Sequence, residues 1–300
     1  MNELNDRAVG IAMMTSSPCE SLFSVAVDRI RAWAGYRFPP SGKLIYRMVT
    51  KCLSPEIDAE LFPGIRVRLR LADNTQKATY WQGARFEKPT PQILADWGKN
   101  GAAAFFDIGA NYGFFSYWMH WQCPDLQIYA FDPHPDNAHV LSQTGERNRL
   151  DRLHSYPVAL GERAGTATLH HGVEDSGFST LGAHPRLTGS PTSVVEVIPF
   201  DAWLDREHMS LPRSPAWVAK IDVEGYELRV LHGMERALRA RAFKGLCIEI
   251  NEFTLGFCGT QPQSIRDYLG GMGYRPLDGA AAARHGPLRP ACGNEFFTLA

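Results

Sequence analysis

Residues 103–134, AAFFDIGANYGFFSYWMHWQCPDLQIYAFDPH, decide the fold. Ala104, Phe105 and Phe106 make a short apolar run, the mark of a strand covered on both faces. Asp107, Ile108 and Gly109 follow where such a strand meets a ligand. Gly109 and Gly113 bracket a turn in which backbone can come close to something bound. Phe114 to Trp121 reads as a helix packed on the sheet, Pro124 and Asp125 close it, and Ile128 to Phe131 form the next strand. That strand ends at Asp132, roughly 20 residues beyond the glycines, where a carboxylate can accept both hydrogen bonds of a ribose diol. The expected fold is α/β: a Rossmann-like, doubly wound, mostly parallel sheet.

What is missing selects the nucleotide. A dinucleotide site wants G-x-G-x-x-G so that a pyrophosphate can lie against the helix N-terminus. Here position 111 is Asn and position 114 is Phe, so the pattern fails. A ligand with a ribose but no phosphates tolerates this loop, and S-adenosylmethionine is such a ligand. Its ammonium suits Asp107 and its carboxylate suits the backbone N–H groups near Gly109. A glycine turn after a strand is by itself a weak signal.

A second stretch adds to it. Trp217 to Gly225, WVAKIDVEG, reads as a buried strand carrying a lysine, two carboxylates and a glycine at its exit, with a helix from Tyr226 to Arg241 behind it. If the extended conformation persists to Glu224, then Lys220, Asp222 and Glu224 alternate along one side and project into one pocket. Burying them unpaired is costly, so mutual pairing or a ligand is expected. The plainer reading is that Asp222 and Glu224 cap the following helix, but one cap does not need three charged residues.

The 300 residues, 44% of them hydrophobic, suffice for one large domain with an extension. We divide them into an N-terminal helical extension, 1–60, and a catalytic domain, 61–300. Lys plus Arg number 31 against 32 Asp plus Glu, a net charge of -1, so no global field recruits nucleic acid. Six cysteines are scattered without zinc spacing or a disulfide framework. No signal peptide and no apolar run of membrane-spanning length is evident, and a cytoplasmic location is the expectation.

Helices are expected at Glu20 to Trp33 and Lys43 to Cys52. Aromatic residues in 20–50 are compatible with a homodimer. Ile65, Val67, Leu69 and Leu71 alternate with Arg66, Arg68 and Arg70, a strand with one wet face. Those arginines form either a patch for an acidic or phosphorylated substrate or a solvated edge defended by charge, and the commonness of such edges favours the second. A short helix at Gln92 to Trp97 leads to the strand at 103. Beyond Asp132 come a helix, Asp136 to Arg147, and a third strand, Leu153 to Leu160, whose end would bring Ala159 to the crevice as an apolar contact for a flat base. His171 to Ser193, rich in Gly, Ser and Thr, reads as a long exposed loop where substrate enters. Leu246 to Ile250 is a further parallel strand with a polar exit at Glu249, Asn251 and Glu252. A helix, Gln263 to Met272, follows, then a strand opening at Tyr274, a loop from Asp278 to Gly293, and Glu295 to Leu299, which closes an antiparallel hairpin.

On these residues the chain resembles the FkbM-type S-adenosylmethionine-dependent methyltransferases. The resemblance covers roughly residues 65–299, most of the chain. It rests on Tyr80 to Glu87 (YWQGARFE), on Asp107 to Gly113 (DIGANYG), on Phe131-Asp132-Pro133, and above all on Lys220 to Glu227 (KIDVEGYE). It implies a class I methyltransferase sheet ending in an antiparallel hairpin, a largely bacterial family, and O-methylation of sugar or polyketide hydroxyls. Carried over, it places the methionine part of the cofactor against Asp107, Gly109 and Asn111 within the turn closed by Gly113, the ribose on Asp132 and the adenine near Ala159. Asp132 stands where many members have Glu, and the first helices lie outside the match.

Methyl transfer to an alcohol requires alignment, exclusion of water and a proton acceptor. Asp222 and Glu224 are the first candidates for the base, with Lys220 to hold their pKa values down or to orient the substrate oxygen. A metal is not required. Mg²⁺, if used, would take Asp222, Glu249 and Asn251, hard oxygen ligands at adjacent strand ends. His134, His170 and His171 are minor candidates. The acceptor is expected to be a sugar, glycan or glycolipid hydroxyl. A natural-product hydroxyl is the close alternative, a nicotinamide-dependent oxidoreductase the rival from another class, and a binding scaffold the third reading.

Overall fold

The computed structural model describes residues 54–277, apart from 174 and 183, and residues 293–300. The helices expected at 20–33 and 43–52 and the loop 278–292 lie outside the described residues. The first described strand, β1 (Glu56–Phe62), begins before the expected boundary at residue 60 and pairs antiparallel with β2 (Ile65–Arg70). Ile65, Val67 and Leu69 of β2 are buried. The arginines between them are paired: Arg68 with Glu56 at 2.7 Å, Arg70 with Asp136 at 2.9 Å, and Arg66 with Asp58 at 3.8 Å. Exposed pairs of this kind contribute little stability and leave a solvated edge.

Helices α1 (Asn74–Gln82) and α2 (Thr90–Lys99) lead to β3 (Ala104–Ile108), every residue of which is buried. Then come α3 (Phe114–Gln122), β4 (Gln127–Phe131), α4 (Pro135–Asn148) and β5 (Leu153–Tyr156). The expected strand 153–160 is two strands. Pro157 has no N–H to continue the ladder, and β6 (Ala159–Leu160) joins a separate three-stranded sheet with β7 (Gly165–His170) and β8 (Thr192–Ile198). Downstream lie α5 (Phe200–Arg206), β9 (Trp217–Ile221), α6 (Glu227–Gly233), α7 (Glu235–Arg239), β10 (Phe243–Ile250), α8 (Glu252–Phe257), α9 (Pro262–Gly271), β11 (Tyr274–Pro276) and β12 (Gly293–Leu299). The helix expected over 226–241 is therefore two short ones.

Seven strands form the main sheet in the order β11-β12-β10-β9-β3-β4-β5. Those from β10 to β5 run parallel, and β12 enters antiparallel between β10 and β11. The expected doubly wound sheet and its terminal hairpin are both present. On one face Phe106, Phe131, Phe200, Trp203, Trp217 and Phe243 form the core. In register, Asp107 of β3 faces Ala130 of β4 and Lys220 of β9, so Gly109, Asp132 and Asp222 emerge together where the strand order reverses. A crevice there is where open α/β sheets bind ligands.

Candidate active site

The crevice holds a cavity of about 200 Å³ above the ends of β3, β4, β9 and β10. On its β3 side the chain turns through Gly109 (φ +79°), Asn111 (φ +53°) and Gly113 (φ +102°). Every backbone N–H of this turn is already bonded within the protein. Gly109 and Ala110 both donate to Phe131 O at 2.9 Å, Asn111 to Asp132 Oδ2 at 2.7 Å, Tyr112 to Asn111 Oδ1 at 2.7 Å, and Gly113 to Ala110 O at 2.9 Å. The N–H groups near Gly109, expected from the sequence to face a carboxylate, are therefore already engaged within the protein.

The glycines serve packing. A Cβ at Gly109 would stand 1.8 Å from the carbonyl oxygen of Asp222, so the close approach is to the neighbouring strand end. A Cβ at Gly113 would stand 2.5 Å from Leu141 and 2.6 Å from the Tyr117 ring, and Gly113 does not line the cavity. Nor does Asp107 line it. Fully buried, Asp107 accepts a bond from Ser116 Oγ at 2.6 Å beneath the floor, and its Oδ1 has no hydrogen-bond partner. Burial raises its pKa, which the Lys220 ammonium opposes.

Asp132 and Asn111 do face the cavity. Asp132 Oδ1 accepts from His134 N at 2.9 Å and Asn137 Nδ2 at 3.2 Å, and Oδ2 from Asn111 N. Of roughly four lone-pair sites on a carboxylate, three are taken, so Oδ2 can accept one further bond and a two-handed grip on a diol is not open. Burial pushes Asp132 up to about 6 in spite of these donors. Ala159 lies beside Val158, Leu160 and Leu169 in an apolar wall. His134 accepts the Asp136 N–H on Nδ1 as the N-cap of α4, a structural role.

The other side is charged. Lys220, 2% exposed, donates to Asp222 Oδ2 at 2.5 Å and lies 4.4 Å from the Phe115 ring centre. Burial alone would lower its pKa, but the carboxylates of Asp222, Glu87 and Asp107 outweigh that and hold it charged. Because β9 ends at Ile221, the extended run does not reach Glu224. Glu224 adopts the left-handed φ of +52° and still lines the cavity. The turn's N–H groups at Val223 and Gly225 are bonded by Glu227 Oε1 at 3.1 Å, so Glu227 takes the turn-holding role that the plainer reading gave to Asp222 and Glu224.

Asp222, Glu224 and Glu249 each present a carboxylate oxygen within 4.8 Å of the others, the one such metal-competent group among the described residues. Asn251 is not part of it: its Oδ1 accepts from Phe253 N at 3.1 Å and caps α8. Burial, then Asp222 and Glu227, push Glu224 up to about 9. Burial, then the Asp222 and Glu224 carboxylates, raise Glu249.

The stretch 171–193, expected as an exposed loop where substrate enters, contains Asp175 to Leu181, which forms a wall of the cavity. In place of a long open loop, Ser176 is buried, its N–H donating to Asp73 Oδ2 at 2.9 Å and its Oγ to Asn111 Oδ1 at 3.0 Å. Thr180 Oγ1 donates to the Glu224 carbonyl at 2.8 Å. No periodicity marks such a segment. Glu87 and Glu227, by contrast, stood in the quoted motifs without a role.

Strand order, the glycine turn and the acidic strand end beside it define a class I methyltransferase fold. Residues 107–276 match the methyltransferase FkbM domain, more than half of the chain, and the chain belongs to that family. A hexuronic acid methyltransferase, AglP, of Haloferax volcanii is 24% identical over 164 residues, covering 55% of this chain and 60% of the relative. Methyltransferase 1 of Beauveria bassiana is 25% identical over 143 residues, covering 43% of this chain and 57% of the relative. The chain thus spans about 60% of the length of the curated relatives it matches. Among solved structures, a SAM-dependent methyltransferase from Agrobacterium tumefaciens is 8% identical with a TM-score of 0.41, covering 82% of this chain and 70% of its own. Among the described residues no helix is long and apolar enough to cross a membrane.

Proposed function

We propose that the protein transfers the methyl group of S-adenosylmethionine to a hydroxyl of a sugar in a glycan or glycolipid. The observation that carries this reading is one cavity with two unlike ends: an apolar wall and a hydrogen-bond acceptor around Ala159 and Asp132, and proton-accepting carboxylates at Asp222, Glu224 and Glu249. S-adenosylmethionine fits the residues present. Val158, Ala159 and Leu160 suit adenine, Oδ2 of Asp132 has one lone pair left for a ribose hydroxyl, and the excess of carboxylates over the single Lys220 suits positive charge. When bound, it supplies an electrophilic methyl on a sulfonium.

The chain's own residues do the rest. Asp222 accepts the proton that the attacking hydroxyl gives up, and Lys220 orients its carboxylate through their hydrogen bond. Glu224, which burial and its acidic neighbours push up to about 9, can take that role only once it has lost its own proton. The wall from Asp175 to Leu181 screens the reacting oxygen from water. The charge of the cavity also bears on the acceptor. A carboxylate acceptor would add charge to a cluster already so crowded that Glu224 and Glu249 are raised towards their protonated forms, whereas a neutral hydroxyl would not. That a relative is named for hexuronic acid makes this choice testable. Labelled methyl should pass to a uronate-containing oligosaccharide as an ether that survives mild alkali. A label released by mild alkali would be an ester, and the hydroxyl reading would fall.

A further inference from the structure

The carboxylates at the β9 and β10 exits are more numerous than the reaction needs. One base suffices, yet Asp222, Glu224 and Glu249 converge with oxygens within 4.8 Å of one another. Oxygens that share one hard divalent ion at about 2.1–2.5 Å lie at most about 4–5 Å apart, so this spacing already spans such an ion. A crowd of acids alone is not a site, and two further observations point to a ligand. Glu224 and Glu249 are partly exposed and line the cavity, yet the Oε2 atom of each is buried and has no hydrogen-bond partner. Glu227, 1% exposed, also leaves Oε2 without a partner and adds its charge to both. Buried polar atoms are normally satisfied, so several orphan carboxylate oxygens together call for a partner from outside the chain. The Lys220 charge acts on both carboxyls, but its ammonium is bonded to Asp222 Oδ2 and packed on Phe115 and hydrogen-bonds to neither orphan oxygen. Glu224 adopts a strained left-handed conformation, as residues at ligand sites often do.

We propose that Asp222, Glu224 and Glu249 form a site for one hard divalent cation such as Mg²⁺, whose remaining positions take neighbouring hydroxyl oxygens of the acceptor. This rests on the methyl-transfer reading for its purpose, though not for the binding of the ion. It narrows the acceptor to a hydroxyl with an adjacent oxygen able to reach the same ion, as in a vicinal diol, and assigns Glu249 a part in acceptor binding.

The test is Mn²⁺ binding to the full chain, read by electron paramagnetic resonance, with S-adenosylhomocysteine affinity measured on the same samples. One Mn²⁺ per chain is expected, displaced by Mg²⁺ and retained when S-adenosylmethionine is added. Glu249→Gln, nearly isosteric, should weaken Mn²⁺ at least tenfold and leave S-adenosylhomocysteine affinity within twofold, and Glu224→Gln serves as the second variant should the first not fold. Absence of saturable Mn²⁺ binding, binding unchanged in the variant that folds, or expulsion of Mn²⁺ by S-adenosylmethionine would each overturn the site. Failure of S-adenosylhomocysteine to bind while Mn²⁺ binds would sink the methyl-transfer reading and leave the ion site standing.

Discussion

The two sides of the cavity are built on opposite principles. Around the β3 turn every backbone N–H from Gly109 to Gly113 has a partner inside the protein, and Asp132 already accepts three bonds. At the exits of β9 and β10, Glu224 and Glu249 hold oxygens with none. A satisfied loop is rigid before any ligand arrives and offers shape, one lone pair and an apolar wall. An unsatisfied cluster is tense and offers charge. The first side suits a ligand held by fit, the second one that brings cations or protons.

If the division is real, Asp222→Asn and Glu224→Gln should do the most damage to turnover and the least to the other side. Methyl transfer to a genuine acceptor should fall about 10²–10⁴-fold in Asp222→Asn, the usual contribution of a positioned proton acceptor, and less in Glu224→Gln, whose carboxyl is raised to about 9. S-adenosylhomocysteine affinity, measured by calorimetry, should stay within a few-fold. Normal turnover in both variants would remove the base from this cluster.

Gly109→Ala attacks the joint between the two sides. The added Cβ would collide with the Asp222 carbonyl, and the position needs φ +79°. Both effects destabilise, together by about 3 kcal/mol or more, which in a domain of this size lowers Tm by about 6–12 °C. A variant that melts like the natural chain would show that the turn and the β9 exit are not in the contact described.

Much of this is readable without coordinates, and where reading stops is instructive. Period and composition place β3, α3, β4 and β9, because covered parallel strands are apolar runs and glycine marks the turn between them. The motifs also lead to a single crevice. They do not assign roles within it. Asp107 and Gly113 look like ligand residues by position, yet one lies beneath the floor and the other packs on Tyr117, and only the third dimension separates those outcomes. Glu224 takes the place of Asn251 in the cluster because the chain leaves the extended conformation after Ile221, a local choice with no periodic signature. Asp175 to Leu181 reads as an open loop because polar, glycine-rich composition resembles one. The hydrogen bonds that fold it onto the site come from Asp73 and Asn111, about 65–100 residues away in sequence, and long-range pairing of that kind leaves no local pattern.

The satisfied side can be sharpened through Asp132. Its carboxyl is raised to about 6 by burial, and accepting a hydrogen bond from a ribose hydroxyl on Oδ2 is strongest in the ionised form. Protonation on lowering the pH through 6 should therefore weaken S-adenosylhomocysteine, about tenfold per unit at full slope. The stability sign is the reverse. A folded pKa above the unfolded value of 3.8 stabilises the fold below pH 3.8, and that contribution is lost as pH rises through about 6. Asp132→Asn should flatten the binding profile between about pH 5 and 7, read by calorimetry at half-unit steps, at roughly the affinity of the protonated form. A profile equally steep in the Asp132→Asn variant would place the titrating group elsewhere.

The smallest expected effect bears most directly on the contrast. Glu249→Gln removes one of the converging carboxylates and keeps its volume, so in a chelator it should relieve like-charge crowding and stabilise the fold, against the usual direction for a buried polar change. A gain of about 1 kcal/mol corresponds to about 2–4 °C in Tm for a chain of this size. With saturating Mg²⁺ the order should invert, because the natural chain gains the ion's binding energy and the variant gains little of it. On the satisfied side the corresponding change, Asp132→Asn, puts a side-chain amide against the three donors that Asp132 now accepts from, so it should lower Tm in chelator and in Mg²⁺ alike. One variant whose stability reverses with the ion and one whose stability does not would show that charge is held in reserve at the β9 and β10 exits and not at Asp132. If both variants shift Tm in the same direction under both conditions, the orphan oxygens at Glu224 and Glu249 are not waiting for a cation, and the two sides differ only in their hydrogen-bond count.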